Sequence, residues 1–155
     1  GIITINLSGH TLTDDACLKS IIKLLGDSPV TTNRICFEIT ETAAIANLGR
    51  ALYFMEEIKS LGCCFALDDF GSGLSSFSYL KALPVDFIKI DGSFVRNMLD
   101  DPMDTAIVEA IHQLGRAARI QTIAEFVEDR QTMEKLRDIG IDYAQGYAID
   151  KPHPI

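Results

Sequence analysis

The chain lacks an excess of positive charge, a long apolar run, and any cysteine or histidine spacing suited to zinc. Each absence removes a class of function. Lys and Arg total 14 against 22 Asp and Glu, for a formal net charge of −8. A nucleic-acid polymer held by clustered positive charge is therefore not expected. A small phosphorylated ligand stays open, because bound cations can reverse the local sign. No apolar run approaches the roughly 18 residues that span a bilayer, and no signal-peptide pattern opens the chain. The four cysteines, Cys17, Cys36, Cys63 and Cys64, show no C-x-x-C spacing. They read as buried thiols in a reducing cytoplasm, so a cytoplasmic location is expected, with any membrane anchor lying upstream. His10, His112 and His153 read as surface or packing residues. Asn6-Leu7-Ser8 fits the glycosylation triplet, but nothing else points to secretion, and it reads as a chance match.

What remains is the composition of a globular domain: 155 residues, 47% hydrophobic and 23% charged. Strand patterns fall at 2–7, 34–40, 63–68, 85–90, 120–125 and, more weakly, 142–146. Helical patterns fall at 14–26, 43–61, 102–119 and 130–139. Asp101-Pro102 forms an N-cap with proline at the first helical position, and Gly26, Gly62 and Gly140 read as helix stops. Residues 75–83 read as a short helix or turn ended by Pro84. This alternation implies an α/β fold with a parallel sheet. An open doubly wound sheet and a closed barrel both fit the rhythm.

The polar residues favour the barrel. Side chains alternate faces along a strand, so one face of each carries the apolar residues that would pack on outer helices. In the first strand these are Ile3, Ile5 and Leu7. The opposite faces end in Asn6, Glu38, Asp68, Lys89, Glu125 and Gln145, all able to bind metal or carry charge. Barrel enzymes place their chemistry at the C-terminal ends of the strands. A full barrel needs eight strands and roughly 250 residues. About six βα units are present, so the chain reads as an incomplete barrel, with about two units expected upstream of the abrupt start at Gly1.

Asp68-Asp69-Phe70-Gly71-Ser72-Gly73 places adjacent carboxylates after a buried strand, a repulsion that a cation between them would relieve. An acidic turn with Gly71 and Gly73 at positive φ would also explain it. The glycines with Ser72, Ser75 and Ser76 suggest a mobile loop over a site, and the pattern is not a dinucleotide fingerprint. Glu41 follows Glu38 by three residues and also suits a helix start. Lys89, inside an apolar run, needs acidic company if it faces inward. Glu128 lies near Glu125 and could simply begin the next helix. Such an oxygen-rich set suits Mg²⁺ or Mn²⁺, and two such ions suit hydrolysis of a phosphodiester.

These segments, together with Ile5-Asn6-Leu7-Ser8, Glu38-Ile39-Thr40-Glu41, Lys89-Ile90-Asp91, Ala124-Glu125-Phe126-Val127-Glu128 and Gln145-Gly146-Tyr147, closely resemble the EAL domains. These are bacterial phosphodiesterases for cyclic di-GMP. The resemblance spans essentially the whole chain in family order and implies the C-terminal two-thirds of a TIM-like (β/α)8 barrel of EAL type. It implies metal ligands at Asn6, Glu38, Asp68 and Asp69, with Glu125 as general base or second-metal ligand and Lys89 beside the attacking water. It further implies that Gln145 lines the site and that Glu41 anchors the Asp68-Asp69-Phe70-Gly71 loop. The product would be linear pGpG. A homodimer and upstream sensory or GGDEF modules are also expected.

Three departures stand out. The Glu-Ala-Leu signature belongs upstream of Gly1, Phe126 stands where the family usually has Gly, and Leu74 replaces a common aromatic. The piece alone is expected to be poorly active. A catalytically silent EAL domain that senses cyclic di-GMP is the alternative, with an unrelated metal-dependent barrel of aldolase or enolase type as a third reading.

Overall fold

The structure, a computed structural model, describes residues 1–73, 77–147 and 149–154, with side chains described through Tyr147. Leu74, Ser75 and Ser76, and the side chain of His153, lie outside the described residues. The chain divides into two compact units. One is built on residues 1–67 and the stretch ending at Val85, the other on residues 68–73 and those from Asp86 on.

The first unit opens with β1 (Ile3–Leu7), α1 (Gly9–Leu12) and α2 (Asp15–Asp27). It continues with β2 (Ile35–Thr40), α3 (Glu41–Ala46), α4 (Leu48–Lys59) and the first residues of β3 (Cys64–Phe70). β1 and β2 run parallel, Ile3 opposite Ile35 and Asn6 opposite Glu38. β2 is buried from Ile35 to Ile39, and Phe37 lies against Phe65 with ring centroids 5.7 Å apart. β1 differs from expectation. Its apolar face is not covered, Ile3 being 47% and Ile5 39% exposed. β2 is its one strand neighbour among the described residues.

The helix stops differ in two places. α2 runs through Gly26 to Asp27, and the chain leaves it at Ser28 (φ −81, ψ 138). Ser28 precedes Pro29, and the proline ring forces the residue before it into extended backbone. The single helix expected over 43–61 is two, separated at Asn47 (φ −138, ψ 56). α3 begins earlier than expected because Thr40 caps it, its hydroxyl accepting from the Ala43 N–H at 3.2 Å.

The second unit holds the end of β3, then β4 (Phe87–Ile90), α5 (Gly92–Asn97), α6 (Pro102–Ala118) and β5 (Gln121–Ala124). α7 (Arg130–Ile139), β6 (Tyr143–Gly146) and β7 (Ile149–Pro154) complete it. β4, β5 and β6 are parallel, with Lys89 opposite Ile123 and Ala124 opposite Ala144. The strand–helix–strand β4–α6–β5 gives the right rhythm for a parallel sheet, α6 packing on both strands. Asp101 caps α6 through the Met103 N–H at 2.9 Å, with Pro102 at the start as expected. β7 was not expected and pairs antiparallel to β6. Pro152 and Pro154 argue against a strand in the sequence, yet proline is tolerated where its missing N–H faces away from the ladder.

His112 of α6 is 3% exposed, and its Nδ1 lies 2.9 Å from the Thr122 hydroxyl. Thr122 reaches Asp142 through both its N–H (2.8 Å) and its hydroxyl (3.1 Å). This network ties α6, β5 and the approach to β6 together. Burial pushes the His112 imidazole below its ordinary pKa, with Asp142 opposing and Arg116 assisting. The unfolded chain therefore takes up the proton first. Its stabilising contribution is complete above the ordinary histidine value of about 6.5 and is lost as pH falls below it. Urea midpoints should thus fall between about pH 7 and pH 5, and His112→Gln should flatten that part of the profile.

Candidate active site

Asp68 and Asp69 close β3, and the turn after them is built by local chemistry. The Asp69 N–H donates to Asp68 Oδ1 at 2.9 Å, and the Ser72 hydroxyl donates to the Asp69 carbonyl at 2.7 Å. Asp69 is left-handed (φ 51), as is Gly71 (φ 98). A Cβ on Gly71 would lie 2.9 Å from Ile111 and 3.0 Å from Phe94. Both its conformation and its surroundings therefore require glycine. Phe70 is fully buried, and its carbonyl accepts from the Asp91 N–H at 3.1 Å. This ties the end of β3 to the end of β4. Ser72 and Gly73 are exposed.

Lys89, only 5% exposed, has the acidic company its position demands. Its Nζ lies 2.9 Å from Glu125 Oε1 and 3.8 Å from Asp68 Oδ1. Glu125 stands just beyond β5, at the corresponding strand end. Carboxylate oxygens of Asp68, Asp69 and Glu125 all fall within 4.8 Å of one another. Burial raises the Glu125 carboxyl to about 7, with Lys89 pulling it down and Asp68 pushing it up. Burial also raises Asp69, followed by the charges of Asp68 and Asp91, with Lys89 opposing. Three converging carboxylates and one ammonium leave excess negative charge. A hard divalent cation with oxygen ligands fits this donor set, because it offsets both the burial and the mutual repulsion of the acids.

The first unit places Asn6 opposite Glu38 on adjacent strands, Asn6 exposed and Glu38 buried. Glu41, 1% exposed at the start of α3, accepts a hydrogen bond from the Tyr79 hydroxyl at 2.7 Å. Burial first, then this bond and the Glu41 charge, raise the Tyr79 hydroxyl far above its ordinary value. Tyr79 was missed from sequence. A buried acid requires a donor, but nothing in the spacing says which one supplies it. Tyr79→Phe removes that donor from a buried carboxylate. It should cost about 1–3 kcal/mol of stability, read from urea unfolding.

Two further residues were also missed. A Cβ on Gly146 would lie 2.3 Å from the Val127 carbonyl oxygen, so β6 approaches the 125–128 segment backbone to backbone. The Val127 N–H donates to the Gln145 carbonyl at 3.0 Å. Gln145 thus supports this segment through its main chain, and its side chain is half-buried. Gly92 meets the Phe126 ring so closely that a Cβ would lie 1.9 Å from it. Glu128 lies outside α7, which Asp129 caps through the Thr132 N–H at 2.7 Å. Its carboxylate is 4.0 Å from Arg96.

The family model for the EAL domain matches residues 1–152. The chain belongs to the EAL domain family. Its fold class is accordingly the TIM-like barrel of EAL type. This EAL chain is 46% identical over 153 residues to cyclic di-GMP phosphodiesterase PdeB of Shewanella oneidensis, covering 99% of the chain and 18% of that protein. It superposes on the PaMucR phosphodiesterase in complex with c-di-GMP with a TM-score of 0.91 at 33% identity. That match covers 99% of this chain and 62% of the other. The FimX EAL domain of Pseudomonas aeruginosa bound to c-di-GMP gives a TM-score of 0.90 at 30% identity, covering 97% and 62%. The chain spans about a fifth of the length of the first curated relatives it matches (18% and 20%). No described helix is long and apolar enough to cross a membrane.

Membership of the EAL family sharpens one expectation about the acidic cluster. A divalent cation held beside Glu125 would favour its ionised form over the protonated one, and the carboxyl sits near 7. Divalent-cation affinity should therefore rise roughly tenfold between about pH 6 and pH 8. Isothermal titration calorimetry should show that rise, and Glu125→Gln should remove most of it.

Proposed function

We propose that in the full-length protein this domain hydrolyses cyclic di-GMP to linear pGpG. The observation that carries this reading is the buried Lys89–Glu125 pair at 2.9 Å, beside Asp68 and Asp69. Glu125 takes a proton from water, a role suited to a carboxyl held near neutrality. Lys89 holds that carboxylate in place and offers positive charge to the phosphoryl oxygens. The water oxygen bonds to phosphorus as one P–O bond breaks, and the released ribose hydroxyl carries a proton away.

Two Mg²⁺ or Mn²⁺ ions are the proposed cofactors, with Asn6, Glu38, Asp68 and Asp69 as ligands. Bound metal would polarise the phosphoryl oxygen and acidify water. Gln145, Glu128, Glu41 and the Phe70–Gly73 turn are assigned to substrate and loop contacts. The similarity to PdeB and to the PaMucR complex supports the substrate. A cytoplasmic homodimer with upstream sensory or GGDEF modules completes the proposal. The small share of the curated relatives that the chain spans supports the additional modules.

The FimX EAL domain is likewise bound to c-di-GMP, and binding alone gives a second reading in which the domain holds the nucleotide without cleaving it. Chromatography of the products formed from cyclic di-GMP by the full-length protein with Mg²⁺ separates the two. Formation of pGpG is expected, and Glu125→Gln should lower turnover by about 10² to 10⁴. Binding without cleavage would overturn the phosphodiesterase reading in favour of the sensor.

A further inference from the structure

Phe126 combines three features that ordinarily count against a residue. It is a bulky side chain in left-handed backbone (φ 56), it is 41% exposed, and its ring presses on Gly92 where no Cβ could fit. Left-handed backbone is costly for any residue with a Cβ, most of all a large one, and such outliers collect where geometry serves a site. Phe126 directly follows Glu125. Gly92 opens α5, two residues after β4 ends and three after Lys89. The Arg96 guanidinium, on the next turn of α5, lies 4.2 Å from the centroid of the same ring. It also reaches Glu128 at 4.0 Å. The ring therefore bridges the segment carrying Glu125 and the segment following Lys89. On its far side the same loop is fixed to β6, through Val127 on Gly146 and on the Gln145 carbonyl.

We infer that Phe126, seated on Gly92 and beside Arg96, is a positioning residue that holds Glu125 at its 2.9 Å contact with Lys89. The inference rests on the proposed phosphodiesterase reading only for its kinetic consequences. Glycine at 126 would adopt the same φ without strain, yet on the α5 side it would leave the loop only the long, exposed Arg96–Glu128 pair and the Lys89–Glu125 contact itself. Phenylalanine accepts strain in exchange for a second anchor.

The kinetic test uses the full-length protein with Mg²⁺ and cyclic di-GMP. Phe126→Gly should lower kcat about tenfold with KM within about twofold, because sub-ångström displacement of a reacting group slows chemistry more than binding. Its melting temperature should hold, since relief of strain offsets the lost ring contacts. Phe126→Tyr, which keeps the ring, should recover kcat to within about threefold. Gly92→Ala drives a Cβ into the ring and should also lower kcat. The double variant Gly92→Ala/Phe126→Gly should be no worse than Phe126→Gly alone, since Gly92 acts through the ring. An unchanged kcat in Phe126→Gly, a loss confined to KM, or additive losses in the double variant would overturn the inference.

A crystal structure of the Phe126→Gly full-length protein supplies a readout independent of activity. The Lys89–Glu125 separation should exceed hydrogen-bonding reach, about 3.5 Å. If it stays at its present 2.9 Å, the inference fails even where the parent protein proves to be a sensor.

Discussion

A lysine inside an apolar strand is the constraint around which the second unit is organised. Lys89 is flanked by Ile88 and Ile90, both fully buried, and an ammonium there cannot be left unpaired. It is matched by Glu125 from the end of β5 and, at longer range, by Asp68 from the end of β3. Matching requires three strands to deliver their polar ends to one place. The parallel register of β4 on β5 does part of this by setting Lys89 opposite Ile123, two residues before Glu125. The Asp91 N–H on the Phe70 carbonyl does the rest, joining the β3 and β4 ends directly. Because Lys89 neutralises only one of the converging acids, the remaining charge makes the site receptive to a cation rather than merely paired.

Much of this was legible from alternation alone. Lys89 and the acids at the strand ends follow from counting by twos, and the demand for acidic company around Lys89 follows from its apolar neighbours. The Asp101-Pro102 helix start is equally local, since cap and first turn are specified by adjacent residues. What alternation cannot supply is identity across space. Tyr79 as the donor to Glu41, and Thr122 and Asp142 as partners of His112, depend on which elements pack together. The exposure of Ile3 and Ile5 is invisible for the same reason, since an apolar face announces a need for cover without saying whether cover is present. Gly26 misled because glycine only permits a helix to stop, whereas Pro29 compels the residue before it to leave.

Both polar networks of the second unit meet on β5. Thr122, near its start, joins His112 and Asp142, while Glu125, beyond its end, joins Lys89. Chemistry in barrels gathers at the C-terminal ends of the strands, leaving the opposite ends to stability. β5 follows this division within four residues. Its first network has a neutral imidazole at its centre and favours folding at neutral pH, and its second keeps a carboxyl near neutrality chiefly through burial, with Asp68 adding to it. A strand rigidly held at one end can carry a strained, charged arrangement at the other.

The backbone shows how that strain is distributed. Asp68 and Glu125, which both pair with Lys89, are each followed by a left-handed residue, Asp69 at φ 51 and Phe126 at φ 56. A left-handed residue breaks the regular alternation of side chains, so the preceding carboxylate keeps the direction the strand gave it while the next side chain is redirected. After Asp68 the redirected side chain is another carboxylate, which joins the same cluster. Aspartate tolerates this conformation comparatively well. After Glu125 it is an aromatic ring, which turns instead onto Gly92 and Arg96. The same backbone device thus serves two ends: on β3 it adds a carboxylate to the cluster, and on β5 it adds a brace. That difference explains why a residue so poorly suited to left-handed backbone can persist at 126. The strain in its φ is offset by the contacts of its ring with Gly92 and Arg96, and these fix the approach of Glu125 to Lys89, the contact on which the charge balance of the site depends.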